Sequence, residues 1–327
     1  EPAVHQEPAD DGEPDKRTSP RATEEYRRAF WNVLRAPRGM ADPQEVRDLF
    51  KSSDGKGGYL APEEFELELL RELGKTSVMR QIASVVQSST DRRIPMVTEK
   101  PSFTYIGEKG TYGKTSMSFD VIHISAYKAG GIILVSEELL QDSYFDLEAE
   151  IRRQFVEAQS ELEENSFING DGVEKPTGVL VDAQKGVEAA ASGITADDLI
   201  DLFYNVKRGY RQRGTWLMHD STIRAIRKLK DNDGQYIWQP GIQAGEPDRI
   251  LGRPVVTSDF MPEIAAGAKS VAFGDFSRYR IMDRLGITIQ RLDELYAETG
   301  QVGFRCTFRN DGKLLLSEAV KYIQHAS

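Results

Sequence analysis

His219 and Asp220 stand directly behind the apolar run Trp216-Leu217-Met218, so a strand end would present an imidazole beside a carboxylate, the pairing that general acid–base catalysis uses. No serine or cysteine nucleophile motif accompanies them. The same pattern of Asp at a strand end recurs at Asp275, behind Phe273-Gly274, and in the Asp-Asn-Asp-Gly run at 231–234, and its ordinary meaning is a turn. Gly113-Lys114-Thr115 has the tail of a phosphate-binding loop, but the required first glycine falls on Glu108. A carboxylate there opposes phosphate, and the residues that follow alternate like a strand instead of opening a helix. Residues 53–64 have the outline of a calcium loop. With Glu64 as the twelfth ligand and Gly58 as the turn glycine, Ser53, Gly55 and Gly57 occupy positions that need carboxylate or amide oxygens. Glu157, Glu161, Glu163 and Glu164 could hold a metal on a helix, yet no Glu-x-x-His partner is present; they read as a solvated or intersubunit face. His5, His123, His219 and His325 are scattered, and Cys306, the single cysteine, has no ligand partner at metal spacing and reads as a buried thiol. We therefore expect no catalytic residue, no metal and no cofactor.

The elements that must carry these residues are mixed. With 327 residues, 39% of them hydrophobic, the chain can build one large or two ordinary domains. No run approaches the roughly 18 apolar residues of a membrane-spanning helix. Forty-two basic against 52 acidic residues leave a net charge of -10, which repels polyanions and argues against a dedicated nucleic-acid binder. Residues 1–19 are rich in Pro, Glu and Asp and offer neither a secretory h-region nor a core, so they are expected to form a mobile tail.

Short helices are expected at 24–35 and 43–50, then, after a glycine-rich joint, at 62–73, where Phe65, Leu69 and Leu73 recur on one face. From 95 to 128 the period falls to two, which reads as a long hairpin with its tip at 107–113 and a bulge at Val121–Ile122, where the apolar parity switches. Ser136 reads as a helix cap. A second cap at Asp142 or Ser143 opens the longest helix, which runs to about Phe167 with a buried stripe of Leu147, Ile151, Phe155, Ala158 and Leu162. Glu148 and Arg152 are an expected i,i+4 pair on its flank, and Asn169-Gly170-Asp171-Gly172 ends it as a turn. Thr195 and Asp198 look like a capping box for the next helix, which carries Leu199, Phe203, Val206 and Tyr210. Short strands follow at 216–218, 236–238, 254–257, 271–273, 280–282 and 287–289, with a helix at 222–230 among them. The closing strands, 302–308 and 314–316, are expected to turn at Asn310-Asp311-Gly312, a hairpin signal. The whole reads as α+β, without internal repeats.

The order Gly131-Ile132-Ile133-Leu134-Val135-Ser136-Glu137-Glu138-Leu139-Leu140-Gln141-Asp142-Ser143, the long helix, Phe167-Ile168-Asn169-Gly170-Asp171-Gly172 and Pro176-Thr177-Gly178-Val179-Leu180 resembles the core signature of tailed-bacteriophage major capsid proteins. Gly57-Gly58-Tyr59-Leu60-Ala61-Pro62 upstream, and Leu229-Lys230-Asp231 with Gly234, Leu251-Gly252-Arg253-Pro254-Val255-Val256 and Phe273-Gly274-Asp275-Phe276 downstream, extend the resemblance from Gly57 to Ile323.

That resemblance implies the Hong Kong 97-like capsid fold: a mobile extension at 1–56, an N-arm at 57–94, an E-loop hairpin at 95–130, a P-domain at 131–194 and 292–327 with a long spine helix, and an axial A-domain at 195–291. It implies a structural shell protein, not an enzyme, that self-assembles into hexamers and pentamers of an icosahedral phage head around double-stranded DNA, without sequence-specific binding. The expected place is the virion, assembled in the host cytoplasm. The partners implied are further copies of the chain, a scaffolding segment or protein, a maturation protease, and portal and decoration proteins. Candidate intersubunit contacts are Glu108, Lys109, Lys114, Glu157 and Glu161. Some relatives weld subunits through an E-loop lysine, a P-domain asparagine and a glutamate. Lys109 and Lys114 could supply the amine, but the matching stretch at 303–310 carries no glutamate, so no cross-link is expected. An encapsulin-like nanocompartment shell is the alternative, and a soluble hydrolase using His219 and Asp220 a more distant one.

Overall fold

The computed structural model describes residues 20–36, 40, 42–50, 59–88, 92–97, 119–141, 146–230, 235, 249–292 and 294–327. The expected tail at 1–19, the hairpin tip with Glu108, Lys109 and Lys114, the phosphate-loop look-alike, the joint at 53–58 and the strand at 236–238 lie outside them.

The chain opens with α1 (Glu24–Arg35), capped by Thr23, whose hydroxyl accepts the Tyr26 N–H. Its buried Tyr26, Phe30, Val33 and Leu34 share one face. α2 (Pro43–Phe50) starts on proline, whose fixed φ suits the first helical position. β1 (Tyr59–Leu60) leads into α3 (Glu63–Thr76), with Phe65, Leu69 and Leu73 buried in the expected stripe and Glu63, Glu64 and Glu66 at the positive helix end. After α4 (Val78–Ile82) and β2 (Ser84–Ser88), β3 (Arg92–Val97) and β4 (Phe119–Ile124) form an antiparallel ribbon. Its register runs unbroken from Arg92↔Ile124 to Val97↔Phe119, so the bulge expected at Val121–Ile122 is absent. The ribbon is a sheet of its own.

β5 (Tyr127–Ser136) and α5 (Glu137–Gln141) meet at Ser136, whose hydroxyl accepts the Leu139 N–H. The long helix, α6 (Leu147–Asn169), follows its cap Asp146, while the expected caps Asp142 and Ser143 lie outside the described residues. Asp146 accepts the Ala149 N–H and precedes Glu148 and Glu150 in the first turn, which concentrates negative charge at the positive end. Then come α7 (Val179–Asp182), β6 (Gln184–Ala189), α8 (Ala196–Asn205), α9 (Arg208–Arg211), β7 (Thr215–Met218) and α10 (Asp220–Arg227). The Thr195–Asp198 capping box is formed in both directions. β8 (Arg249–Ile250), β9 (Arg253–Thr257), β10 (Lys269–Gly274), β11 (Tyr279–Leu292), β12 (Gln301–Leu314) and β13 (Val320–His325) complete the chain.

Two large sheets organise these elements. One runs β1-β11-β12-β5, with β2 parallel to the first half of β11. The other runs β6-β13-β10-β7-β9-β8. Phe155, Phe304, Phe308 and Ile289 form the core under the first sheet, together with α1 and α3. Trp216, Phe273, Leu202 and Ile223 form the core between the second sheet, α8 and α10, with the Trp216 and Phe273 ring centres 4.3 Å apart. A third core, with Phe167, Ile168, Val179 and Tyr279, joins the two. β6 and β13 share a sheet with β7 and β10, while β11 belongs to the other.

Two expected turns are strand instead. The segments at 280–282 and 287–289 are one strand, β11, with a register shift between Arg284 and Thr288. Asn310-Asp311-Gly312 does not turn but continues β12, in register with Met282 and Asp283. Tertiary partners override the local signal here: Asn310 donates to Glu163, and Asp311 accepts the N–H groups of Ser125 and Gly312. A side chain on Gly312 would overlap the Tyr279 ring and lie 2.8 Å from Phe167.

Candidate assembly interface

α6 is the element on which the candidate contact residues sit, and its packing differs from the sequence expectation in three ways. Leu147, Ile151 and Phe155 are buried, but Ala158 is exposed and Leu162 is 47% exposed. Glu148 and Arg152 do not pair chiefly with each other: Glu148 accepts from Arg27 at 3.0 Å, and Arg152 reaches Glu68 and Glu72 on α3. Finally, Glu163 and Glu164 are not on a solvated face; they are 2% and 5% exposed. The helix passes from one core to another, so its buried side rotates along its length.

The reason Glu163 can be buried is Arg80. Its guanidinium donates from Nε and Nη2 to Glu163 at 2.6 and 3.0 Å and from Nη1 and Nη2 to Asp283 at 2.7 and 2.8 Å, two fork-like pairs on one cation. Asn310 on β12 donates to the same Glu163 at 2.7 Å, and Gln159, one turn earlier on α6, at 2.5 Å. Burial lowers the Arg80 pKa, but the facing Glu163 and Asp283 carboxylates outweigh it and raise the pKa overall. Burial raises that of Glu163, against the pull of Arg80. Glu164 accepts from the Ser77 hydroxyl at 2.7 Å, the Met79 N–H at 3.1 Å and the Ser258 hydroxyl at 3.0 Å. The cluster thus ties α4, α6, β11 and β12 together. Asn310 does have a glutamate beside it, Glu163 of α6, and the two are 4% and 2% exposed.

Glu157 and Glu161 remain outside, both exposed, with Glu157 3.7 Å from Arg153. They border a cleft of about 560 Å³ between α3 and α6, which Glu72, Lys75 and Arg152 also line. Of the expected contact residues, then, Glu157 and Glu161 share one cleft. Elsewhere, Asp311 holds the entry to β5 through Ser125 at 2.9 Å, and burial raises its pKa to about 6 against the hydrogen bonds it accepts. Burial pushes the Cys306 thiol to about 12.

His219 caps α10, its Nδ1 accepting the Ser221 N–H at 3.0 Å, and Asp275 caps the turn at 276–278 through Ser277. Among the described residues, no group of His, Cys, Asp and Glu could hold a metal ion, and no helix is long and apolar enough to cross a membrane. The buried Arg80 cluster was not legible from spacing, because its members lie 83 and 203 residues apart.

With this geometry in place, the sequence matches the phage capsid family over residues 57–325. The chain belongs to the phage capsid family. Relatives of this capsid chain include the major capsid proteins of Escherichia phage T5, 27% identical over 200 residues covering 58% of this chain and 44% of the relative, and of Klebsiella oxytoca phage phiKO2, 21% identical with 72% and 58% covered. The chain therefore spans roughly half the length of these relatives. Among solved structures, the capsid of the native GTA particle superposes with a TM-score of 0.69 at 30% identity, covering 77% of this chain and 91% of that one. Gordonia phage Cozz, at 15% identity and TM-score 0.58, shares the fold. The α+β architecture is that of Hong Kong 97-like phage capsids, as expected, and the family marks the protein as a structural component of a phage shell.

Proposed function

We propose that this capsid protein self-assembles into hexamers and pentamers of an icosahedral phage head that encloses double-stranded DNA without reading its sequence. The observation that carries the reading is the match across 91% of a chain from the capsid of a particle. In this reading the extension is 1–56, the N-arm 57–94, the E-loop 95–130, the P-domain 131–194 and 292–327, and the A-domain 195–291. The ribbon of β3 and β4 forms the base of the E-loop, and α6 is the spine. A two-stranded ribbon is marginal by itself, which supports a role for it against a neighbouring copy. Glu108, Lys109 and Lys114 would act from the E-loop tip, and Glu157 and Glu161 from the spine.

Scaffolding, a maturation protease, portal and decoration proteins are the further partners of this reading, with assembly in the host cytoplasm and the virion as destination. The net charge of -10 suits a container whose DNA must not adhere to its wall. The hydrolase alternative has the weaker support, because His219 Nδ1 caps a helix and the chain belongs to a capsid family. Negative-stain microscopy of the purified chain, alone and after mild acid or salt, tests the proposal. Closed shells or uniform rings without foreign cargo are expected. A monomer that never assembles, even with a scaffold supplied, would overturn it, and an enclosed enzyme cargo would favour the encapsulin-like alternative.

A further inference from the structure

β5 closes the first sheet on one side. It pairs with β12 from Gln301↔Ser136 to Asn310↔Tyr127, and no described strand pairs with its other edge. Natural edge strands are kept short or guarded by charge, proline or bulges. β5 has ten residues, and its centre, Ile132-Ile133-Leu134-Val135, carries none of these guards. On the face away from α6, Ile132 and Leu134 are 43% and 42% exposed. On the other face a groove of about 130 Å³ opens between β5 and α6, lined among others by Ile133, Phe155, Ala158 and Leu162. Ala158 and Leu162 are the two members of the helical stripe that the single chain leaves uncovered. Gln159 lines the same groove, is buried, and has an amide oxygen without a hydrogen-bond donor. An added strand would pair its backbone with this edge and set side chains beside Ile132 and Leu134 on one face and beside the groove on the other.

The charges along β5 select the occupant. One end carries Lys128, opposite Arg309 on the same face of the sheet, and both are exposed. Like charges directly opposite each other are unfavourable without an anion nearby. The other end runs into exposed Glu137 and Glu138 on α5. The strand is thus cationic at its start, apolar in its middle and anionic at its finish. Turned about a two-fold axis, such an edge is complementary to itself, as an isologous contact must be.

We propose that β5 is a two-fold docking edge at which two copies of this chain pair their β5 strands antiparallel, centred near Ile132. The Lys128–Arg309 end of each copy then meets the Glu137–Glu138 end of the other, and Ile132 and Leu134 are covered by their counterparts. The inference rests on the shell reading above and adds the surface at which copies meet.

Two-fold antiparallel pairing puts one residue of the strand opposite its own copy, at a separation a disulfide can bridge. Ile132→Cys, Leu134→Cys and the double variant cover centres at 132, 133 and 134. The native Cys306 is buried and its thiol pKa is pushed to about 12, so it gives no background. Ile200→Cys, exposed on α8, controls for random oxidation. Particles of each variant are checked by microscopy, oxidised mildly and run on non-reducing gels. A reducible dimer that takes most of the protein in at least one β5 variant, and not in Ile200→Cys, is the expected result. Intact particles that stay monomeric on the gel for all three β5 variants would overturn the two-fold edge and leave the shell reading standing. Failure of the parent chain to form particles would instead count against the shell reading.

Discussion

Arg80 shows how a single side chain can decide what a helix face is for. It faces Glu163 and Asp283 in a buried site, so its loss leaves two carboxylates without their cation. Arg80→Ala should lower unfolding stability by about 3–5 kcal/mol, read from urea denaturation of the unassembled chain; a loss below about 1 kcal/mol would mean that water reaches the cluster. Asp311 carries a pH dependence. Burial raises its folded-state pKa to about 6, above the roughly 3.9 of an unfolded aspartate. The folded state therefore holds this proton more tightly. Its stabilisation is complete below about pH 4 and disappears as the pH rises through about 6. Asp182, Glu148 and Glu163, also raised by burial, act in the same direction. Asp311→Asn should shrink the difference between urea midpoints measured at about pH 4 and about pH 7. An unchanged difference would show that Asp311 titrates like a solvated carboxyl.

Among the elements, β12 is the one whose path the local sequence misstates. Asn310-Asp311-Gly312 has the composition of a hairpin turn, yet its polar side chains find Glu163 and Ser125, and Gly312 leaves room for Tyr279. Tyr279, fully buried, donates to the Thr177 carbonyl at 2.8 Å. Gly312→Ala should cost about 1–3 kcal/mol through overpacking, and combining it with Tyr279→Phe, which removes the atom most crowded by the new methyl, should cost less than the sum of the two single changes. Strict additivity in thermal melts would place the strain elsewhere. The Thr195–Asp198 box is the opposite case, where a motif of four residues acts alone. Thr195→Ala should destabilise by ~1 kcal/mol, detected as an earlier melt, whereas an unchanged melt would mean that packing of Leu199 and Leu202 holds α8 without its cap.

In the proposed shell, the surface of a single copy is incomplete. The open edge of β5 and the uncovered Ala158 and Leu162 belong to that surface, as do Glu157 and Glu161 beside the α3–α6 cleft. Reversing the charge at both glutamates, Glu157→Lys with Glu161→Lys, should leave the melt of the unassembled chain within about 0.5 kcal/mol, since both are exposed. Particle yield should fall several-fold and recover partly in high salt, which screens exposed charges. Normal yield at low salt would remove these residues from the list of contacts.

The sequence by itself determined the α+β class, the helices at 24–35 and 43–50, the cap at Ser136, the capping box at Thr195 and the motif order that points to the capsid family. Each of these depends on residues close together in the chain, where period, cap and turn chemistry act without help. What only the tertiary structure decided depends on residues far apart. It decided that Asn310-Asp311-Gly312 runs straight and that Glu163 and Glu164 point inward while Glu157 and Glu161 point out. It also decided that Ala158 and Leu162 stay exposed. A buried ion cluster forms only where chain segments up to 203 residues apart converge, and local spacing carries no trace of that convergence. The burial of a helix face is likewise set by what packs against it.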